Sequence, residues 1–143
     1  MSGRTQYATF AVGENFLGIE VLDVQEVLCG QRLTRVPLAP EVVAGLINLR
    51  GQIVPALEIR QLLHLAPRDR SLDPLSVVVR AEHGAVSLQV DEIGDVIELD
   101  GAALEPPPHS VDPGLRALLK GVQKMEGRLL LVLDTNRAVD VGG

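Results

Sequence analysis

Tryptophan is absent from this chain, and its other aromatic residues are one tyrosine (Tyr7) and two phenylalanines (Phe10 and Phe16). So sparse a set cannot build the stacking platform on which single-stranded nucleic acid lies. Basic residues are few and scattered: 13 Lys and Arg stand against 19 Asp and Glu, for a net charge of -6. No basic run goes beyond Arg68-Asp69-Arg70. Phosphate-backbone binding needs clustered Lys and Arg, so nucleic acid is not expected as a partner. The lone cysteine, Cys29, excludes an internal disulfide and fits a reducing compartment. The opening MSGRTQYATFAVG has no long apolar region, so no signal peptide is expected. No stretch nears the ~20 apolar residues of a spanning helix. The expected location is therefore the cytoplasm, with no direct membrane insertion. The longest apolar run, Leu129 to Leu133, reads as a buried strand.

What is present is aliphatic. Hydrophobic residues make up 46% of the 143, enough for a packed core, and Val, Leu and Ile supply nearly all of them. Val and Ile favour strands because branching at Cβ suits the pleated surface. Residues 1–143 fit a single domain.

An internal repeat organises that domain. FLGIEVLDVQEVL (16–28) resembles AVSLQVDEIGDVI (85–97), and GLINLRGQIVPALE (45–58) resembles GVQKMEGRLLLVLD (121–134). In register, Ile19, Val21, Val24, Val27 and Leu28 match Leu88, Val90, Ile93, Val96 and Ile97. Gly45, Gly51, Ile53 and Val54 match Gly121, Gly127, Leu129 and Leu130. The order of the two blocks is the same in both halves. Two copies of a small β unit follow, about 13–68 and about 72–141, joined by APRDRSLDPL (66–75). Strand 6–12 pairs with either half.

Each copy opens with a hairpin, around Gly13-Glu14-Asn15 and around Glu82-His83-Gly84. A second hairpin turns at Gly51 and at Gly127. Short helical turns are predicted at Pro40–Leu46, Ile59–Leu65 and Pro113–Leu119, where each proline suits a helix start. The expected fold is all-β: two small barrels side by side, with a cleft between them.

Catalytic signals are weak. The paired glycines lack any GxxxxGK[ST] or GxGxxG context and read as turns and barrel corners. His64, His83 and His109 are scattered, and no elbow or helix-start pattern prepares Cys29 as a nucleophile. Zinc would want closer ligand spacing. Asp91-Glu92-Ile93-Gly94-Asp95 has too few oxygens for a calcium loop and reads as a solvated strand edge. Pro106-Pro107-Pro108 reads as a stiff connector. No cofactor or metal is expected.

Four blocks taken together resemble the CheW family of chemotaxis coupling proteins: FLGIEVLDVQEVL, VPLAPEVVAGLINLRGQIVPALEIRQLL, SLQVDEIGDVIEL and LKGVQKMEGRLLLVLD. They cover roughly residues 7 to 139, and Gly45-Leu46-Ile47-Asn48-Leu49-Arg50-Gly51 is the most specific part. The resemblance implies two tandem five-stranded SH3-like β-barrels around a shared core. It implies a non-enzymatic scaffold with two partners, a chemoreceptor (methyl-accepting chemotaxis protein) tip and the regulatory domain of a CheA-type histidine kinase. Other CheW-like proteins are further partners. Recruitment to membrane-associated receptor arrays is implied as well.

The departures are small: Glu58 stands where Asp is usual, and Ser87 where Gly is common. The chain also ends soon after its last strand, at Val141-Gly142-Gly143, whereas many relatives continue into a C-terminal helix or tail.

Site residues carry over one by one. Glu26 and Arg50 are implied to form a partly buried ion pair beside the receptor groove. Val24, Val27, Ile93 and Val96 have the spacing of core residues, yet their equivalent places in the two copies suit an apolar groove for a helix face. Gln52 and Ile53 fall where relatives face the kinase, while the plainer reading turns Ile53 into its own barrel. Two other readings stand beside the scaffold. One is a divergent paralogue serving a non-motility pathway that has lost a partner. The other is a small hydrolase using Cys29 or the acidic cluster.

Overall fold

The computed structural model describes residues 4–142 apart from 70, 83 and 101–103. Ten strands dominate it: β1 (Arg4–Val12), β2 (Asn15–Glu20), β3 (Val24–Cys29), β4 (Val43–Leu49), β5 (Gln52–Glu58), β6 (Leu75–Ala81), β7 (Gly84–Val90), β8 (Glu92–Asp100), β9 (Leu119–Met125) and β10 (Arg128–Leu133). Three short helices accompany them: α1 (Ile59–Leu62), α2 (Pro113–Arg116) and α3 (Thr135–Gly142).

The strands form two five-stranded sheets, β8-β1-β2-β10-β9 and β3-β6-β7-β5-β4. Neither sheet is one contiguous half of the chain, as the repeat alone suggests. Each takes its opening hairpin from one copy and three strands from the other. The strand at 6–12 therefore serves both copies, pairing with β2 and with β8. The exchange is symmetric to the residue. In the parallel pairs, Val132 lies opposite Gly18 and Ala56 opposite Ser87, which are matched positions of the repeat. The same irregularity recurs too. Three steps from Ile93 to Val96 face two steps from Phe10 to Ala8, and three from Val24 to Val27 face two from Val79 to Val77. These are β-bulges in the two edge strands.

The exchange accounts for burial. Phe10, Val12, Leu17 and Ile19 of the first sheet pack with Val77, Val79, Val86, Leu88 and Val90 of the second in one large cluster. Alternate residues of the same strands point the other way, into each sheet's own interior. Tyr7, Phe16, Leu130 and Val132 fill the first, and Leu49, Val54 and Val78 the second. The opening hairpins are thus covered on both faces, which is why β6 reads as LSVVVRA without polar alternation.

The helical predictions fare unevenly. α2 begins at Pro113, where Asp112 accepts a hydrogen bond from the Gly114 amide at 2.9 Å. α1 ends beside His64, whose φ of 58° breaks the helix. Pro40–Leu46 is corrected: Pro40 opens a turn, with the Val43 N–H donating to its carbonyl at 2.9 Å, and Val43 starts β4. Gly45 shows why a strand is required there. A Cβ at this position would lie 2.7 Å from the Thr34 carbonyl oxygen, and at the matched Gly121 2.8 Å from that of Glu105. Each glycine lets a second backbone segment bridge to its strand, so these are close-approach glycines, whereas Gly51 and Gly127 turn hairpins at φ 87° and 78°. The last strand is followed by a helix, which corrects the reading of the chain end. In α3, Ala138 is buried and Val139 packs on the shared cluster. The turn residue His83 lies outside the described residues.

Candidate docking site

Glu26 sits on β3 and Arg50 in the β4–β5 turn, so they belong to opposite edges of one sheet. The structure joins them. Arg50 Nη1 donates to Glu26 Oε2 at 2.6 Å and Nη2 to Oε1 at 2.9 Å, a bidentate pair that bridges the two edges. The turn aims the arginine. Arg50 and Gly51 both adopt positive φ, 50° and 87°, the twist that suits a two-residue hairpin. Asn48 supports it, its Oδ1 accepting from the Gly51 amide at 3.0 Å. The Arg50 side chain is 70% exposed against 20% for Glu26, so only the carboxylate is partly buried. The outer face of the guanidinium is open to a partner. Its hydrogen bonds hold the Glu26 carboxyl below its usual range, and Glu26 in turn raises Arg50.

The four apolar residues divide. Val24 is half-buried and packs against the shared core, as the plainer reading had it. Val27 is 36% exposed, and Ile93 and Val96 are each 57% exposed. Both β3 and β8 are outermost strands, so one flank of each is unpaired within its own sheet. The β8 bulge needs a small residue, because a Cβ on Gly94 would lie 2.5 Å from Thr9 Oγ1, whereas Gln25 stands at the matched place of β3. Instead Thr9 donates its hydroxyl hydrogen to the Asp95 carbonyl. Gln52 is exposed and Ile53 is 57% exposed, whereas Val54 beside it is fully buried. Ile53 therefore points away from its own barrel.

The reading of Asp91 as part of a solvated edge is corrected. Its side chain is only 18% exposed and collects four hydrogen bonds from three residues. Arg60 contributes Nε at 3.0 Å and Nη2 at 2.7 Å, Arg68 contributes Nε at 2.8 Å, and the Gly13 amide lies at 2.7 Å. Arg68 also grips Glu58 through both terminal nitrogens at 3.1 Å, so the strap that follows α1 is fastened at Arg68. Burial alone would raise the Asp91 carboxyl, but these donors outweigh it and hold the group at about 2. The charge alternation around Arg68 was the sequence signal. Which carboxylate it would meet was not readable.

The exposed side chains of Leu22 and Leu38, 97% and 104%, were also missed. Leu22 lies in the crossing between β2 and β3, and Leu38 has a φ of 66° in a proline-rich loop. His64 meets Asp112 at 2.9 Å. Cys29 is exposed at the end of β3, and no hydrogen bond joins it to a described histidine. No described helix is long and apolar enough to cross a membrane.

Two interlocked five-stranded sheets define a domain of tandem SH3-like barrels, with aliphatic side chains exposed on its edge strands. The family model described as CheW-like domain matches residues 6–141, and the chain belongs to that family. It is 29% identical over 142 residues to the chemotaxis protein CheW of Klebsiella aerogenes, covering 96% of this chain and 84% of that one. With CheW of Bacillus subtilis it shares 29% over 131 residues, covering 92% and 84%. The crystal structure of the scaffolding protein TtCheW from Thermoanaerobacter tengcongensis matches with a TM-score of 0.79 at 28% identity, covering 94% of this chain and 90% of that one. The family is one of non-enzymatic scaffolds.

Proposed function

We propose that this chain is a chemosensory adaptor. It holds a chemoreceptor tip against the regulatory domain of a CheA-type histidine kinase, so that receptor state biases kinase activity without chemistry by the adaptor itself. It works in the cytoplasm, recruited to membrane-associated receptor arrays. The observation that carries the reading is the exposure of Val27, Ile93 and Val96 on the edge strands β3 and β8. Aliphatic side chains left in water, with Val27 and Val96 at matched places of the repeat, suit the apolar stripe of a helical hairpin. Beside them the Glu26–Arg50 pair offers polar anchors at the rim. Val24 shapes the groove from beneath.

The kinase side of the proposal rests on Gln52 and Ile53. They follow Arg50 in the same hairpin, and an exposed isoleucine at a hairpin tip is a compact anchor for another barrel. Titration calorimetry with a receptor cytoplasmic fragment and with the kinase regulatory domain tests both halves. Val96→Asp is expected to weaken receptor binding at least tenfold, about 1.4 kcal/mol, with the circular dichroism spectrum retained. Ile53→Glu is expected to abolish kinase-domain binding and leave receptor binding within about twofold. Wild-type receptor affinity in folded Val96→Asp removes the groove. Retained kinase binding in Ile53→Glu moves that contact elsewhere.

A further inference from the structure

A recess of about 240 Å³ opens beside the bulge of β8 and reaches the apolar interior of the first sheet. Phe16, Ile97 and Met125 form its floor, and Glu92 and Asp95 stand at its rim. The repeat shows what such a place can hold. Asp95 is the counterpart of Glu26, and Glu126, in the turn next to Met125, is the counterpart of Arg50. In the second sheet a guanidinium bridges the two edges at this position. In the first sheet both counterparts are acidic, and no ion pair joins Glu92, Asp95 or Glu126 to a described residue. Arg128, which also lines the recess, does not take the role. Its guanidinium lies over the Phe16 ring, 3.7 Å from the centroid, and it makes no ion pair with a described residue.

We propose that this recess receives a cationic side chain, an arginine or lysine, carried by the helical partner that docks on Ile93 and Val96. The proposal rests on the docking reading above and adds the specificity element. A long basic side chain matches both parts of the recess: its aliphatic stem covers the Ile97 and Met125 floor, and its charged head meets the carboxylates. Arginine fits best, since its planar fork can hold a carboxylate with two bonds, as Arg50 does with Glu26. Continuity with Ile93, which lines the recess and is also exposed on β8, places the cation on the same partner. The first sheet thus obtains from outside the charge that the second sheet carries within.

The test is titration of a chemoreceptor cytoplasmic fragment into the full chain at ~50 mM and ~500 mM salt. Asp95→Lys should bind at least tenfold more weakly at low salt, and the double variant Asp95→Asn with Glu126→Gln about fivefold more weakly. Both differences should shrink at high salt, because exposed charges are then screened. Glu126→Arg supplies an internal cation that competes for Asp95. It should bind about fivefold more weakly with a melting temperature no lower than wild type. If Asp95→Lys does not fold, the neutral double variant decides. Val96→Asp separates the two levels. If it loses binding while the Asp95 and Glu126 variants stay within twofold of wild type, the cation pocket is wrong and the groove stands. If folded Val96→Asp binds normally, the docking reading falls and the pocket falls with it.

Discussion

The two barrels of this molecule share one topology but fill their interiors differently. In the first, Tyr7, Phe16, Leu130 and Val132 are buried together, with Ile97, Leu99 and Met125 packed against them. At the matched places of the second stand Ser76, Ala85, Val54 and Ala56. The smaller side chains leave space that polar groups occupy. Gln89 is 1% exposed, and its Nε2 reaches Ser76 Oγ at 3.0 Å and Ser87 Oγ at 2.9 Å. A duplicated backbone can therefore be held shut either by aromatic bulk or by a satisfied hydrogen-bond network. The crossings between sheets differ as well. Leu22 stands almost fully exposed in one, while its counterpart Asp91 is clamped by two arginines in the other. One crossing is left available for contact, and the other fastens the fold.

The comparison is broken most severely at Phe16. Phe16→Ala gives the first barrel the residue that the second has in Ala85, without the polar trio that accompanies it there. The cavity should cost about 3–5 kcal/mol, read from urea denaturation midpoints. Ala85→Gly, in the second barrel, should cost far less. Equal losses would mean that the two interiors are packed alike.

The clamped crossing should show itself in pH dependence. The folded Asp91 carboxyl sits at about 2, below its unfolded value of 3.8. Its stabilisation is therefore fully present above pH ~4 and is lost as pH falls from there through 2. The shift corresponds to roughly 2 kcal/mol. Asp91→Asn should lose about that amount at pH 7 and flatten the stability profile between pH 4 and 2. A profile identical to wild type would show that the arginines do not hold the carboxylate in solution.

The smallest effect expected concerns the polar trio. Replacing Ser76 and Ser87 by Ala together with Gln89 by Leu removes donors and acceptors at once and leaves none unsatisfied. Stability should change by less than ~1 kcal/mol, whereas Gln89→Ala alone should cost about 1–3 kcal/mol by stranding two hydroxyls in a cavity. If the triple change is as harmful as the single one, the network contributes more than the packing it replaces.

Much of this was legible along the chain. The hairpins turned where glycine allowed positive φ, the two repeat blocks aligned residue for residue, and Glu26 met Arg50 as the resemblance implied. Only the hairpin signals are local, depending on neighbours a few residues apart; the repeat and the Glu26–Arg50 pair were read from alignment and resemblance. Pro40–Leu46 misled because a proline opens a tight turn as readily as a helix, and only the approach of Thr34 to Gly45 explains the strand. Asp91 misled for a related reason. Its partners Arg60 and Arg68 lie in a helix and a strap that no spacing rule connects to it.

The sequence by itself determined the β content, the duplication, the positions of the hairpins and the aliphatic make-up of the core, because branching, turn chemistry and period act locally. Only the tertiary structure decided which copy each strand joins. A hairpin with both faces apolar is stable wherever two layers cover it, and the pairing of its edges is settled by chain crossings far apart in sequence. The exchange of strands also settled the exposure of Ile53, Ile93 and Val96. An aliphatic residue on a central strand is buried from both sides, and the same residue on an edge strand or a hairpin tip is left exposed.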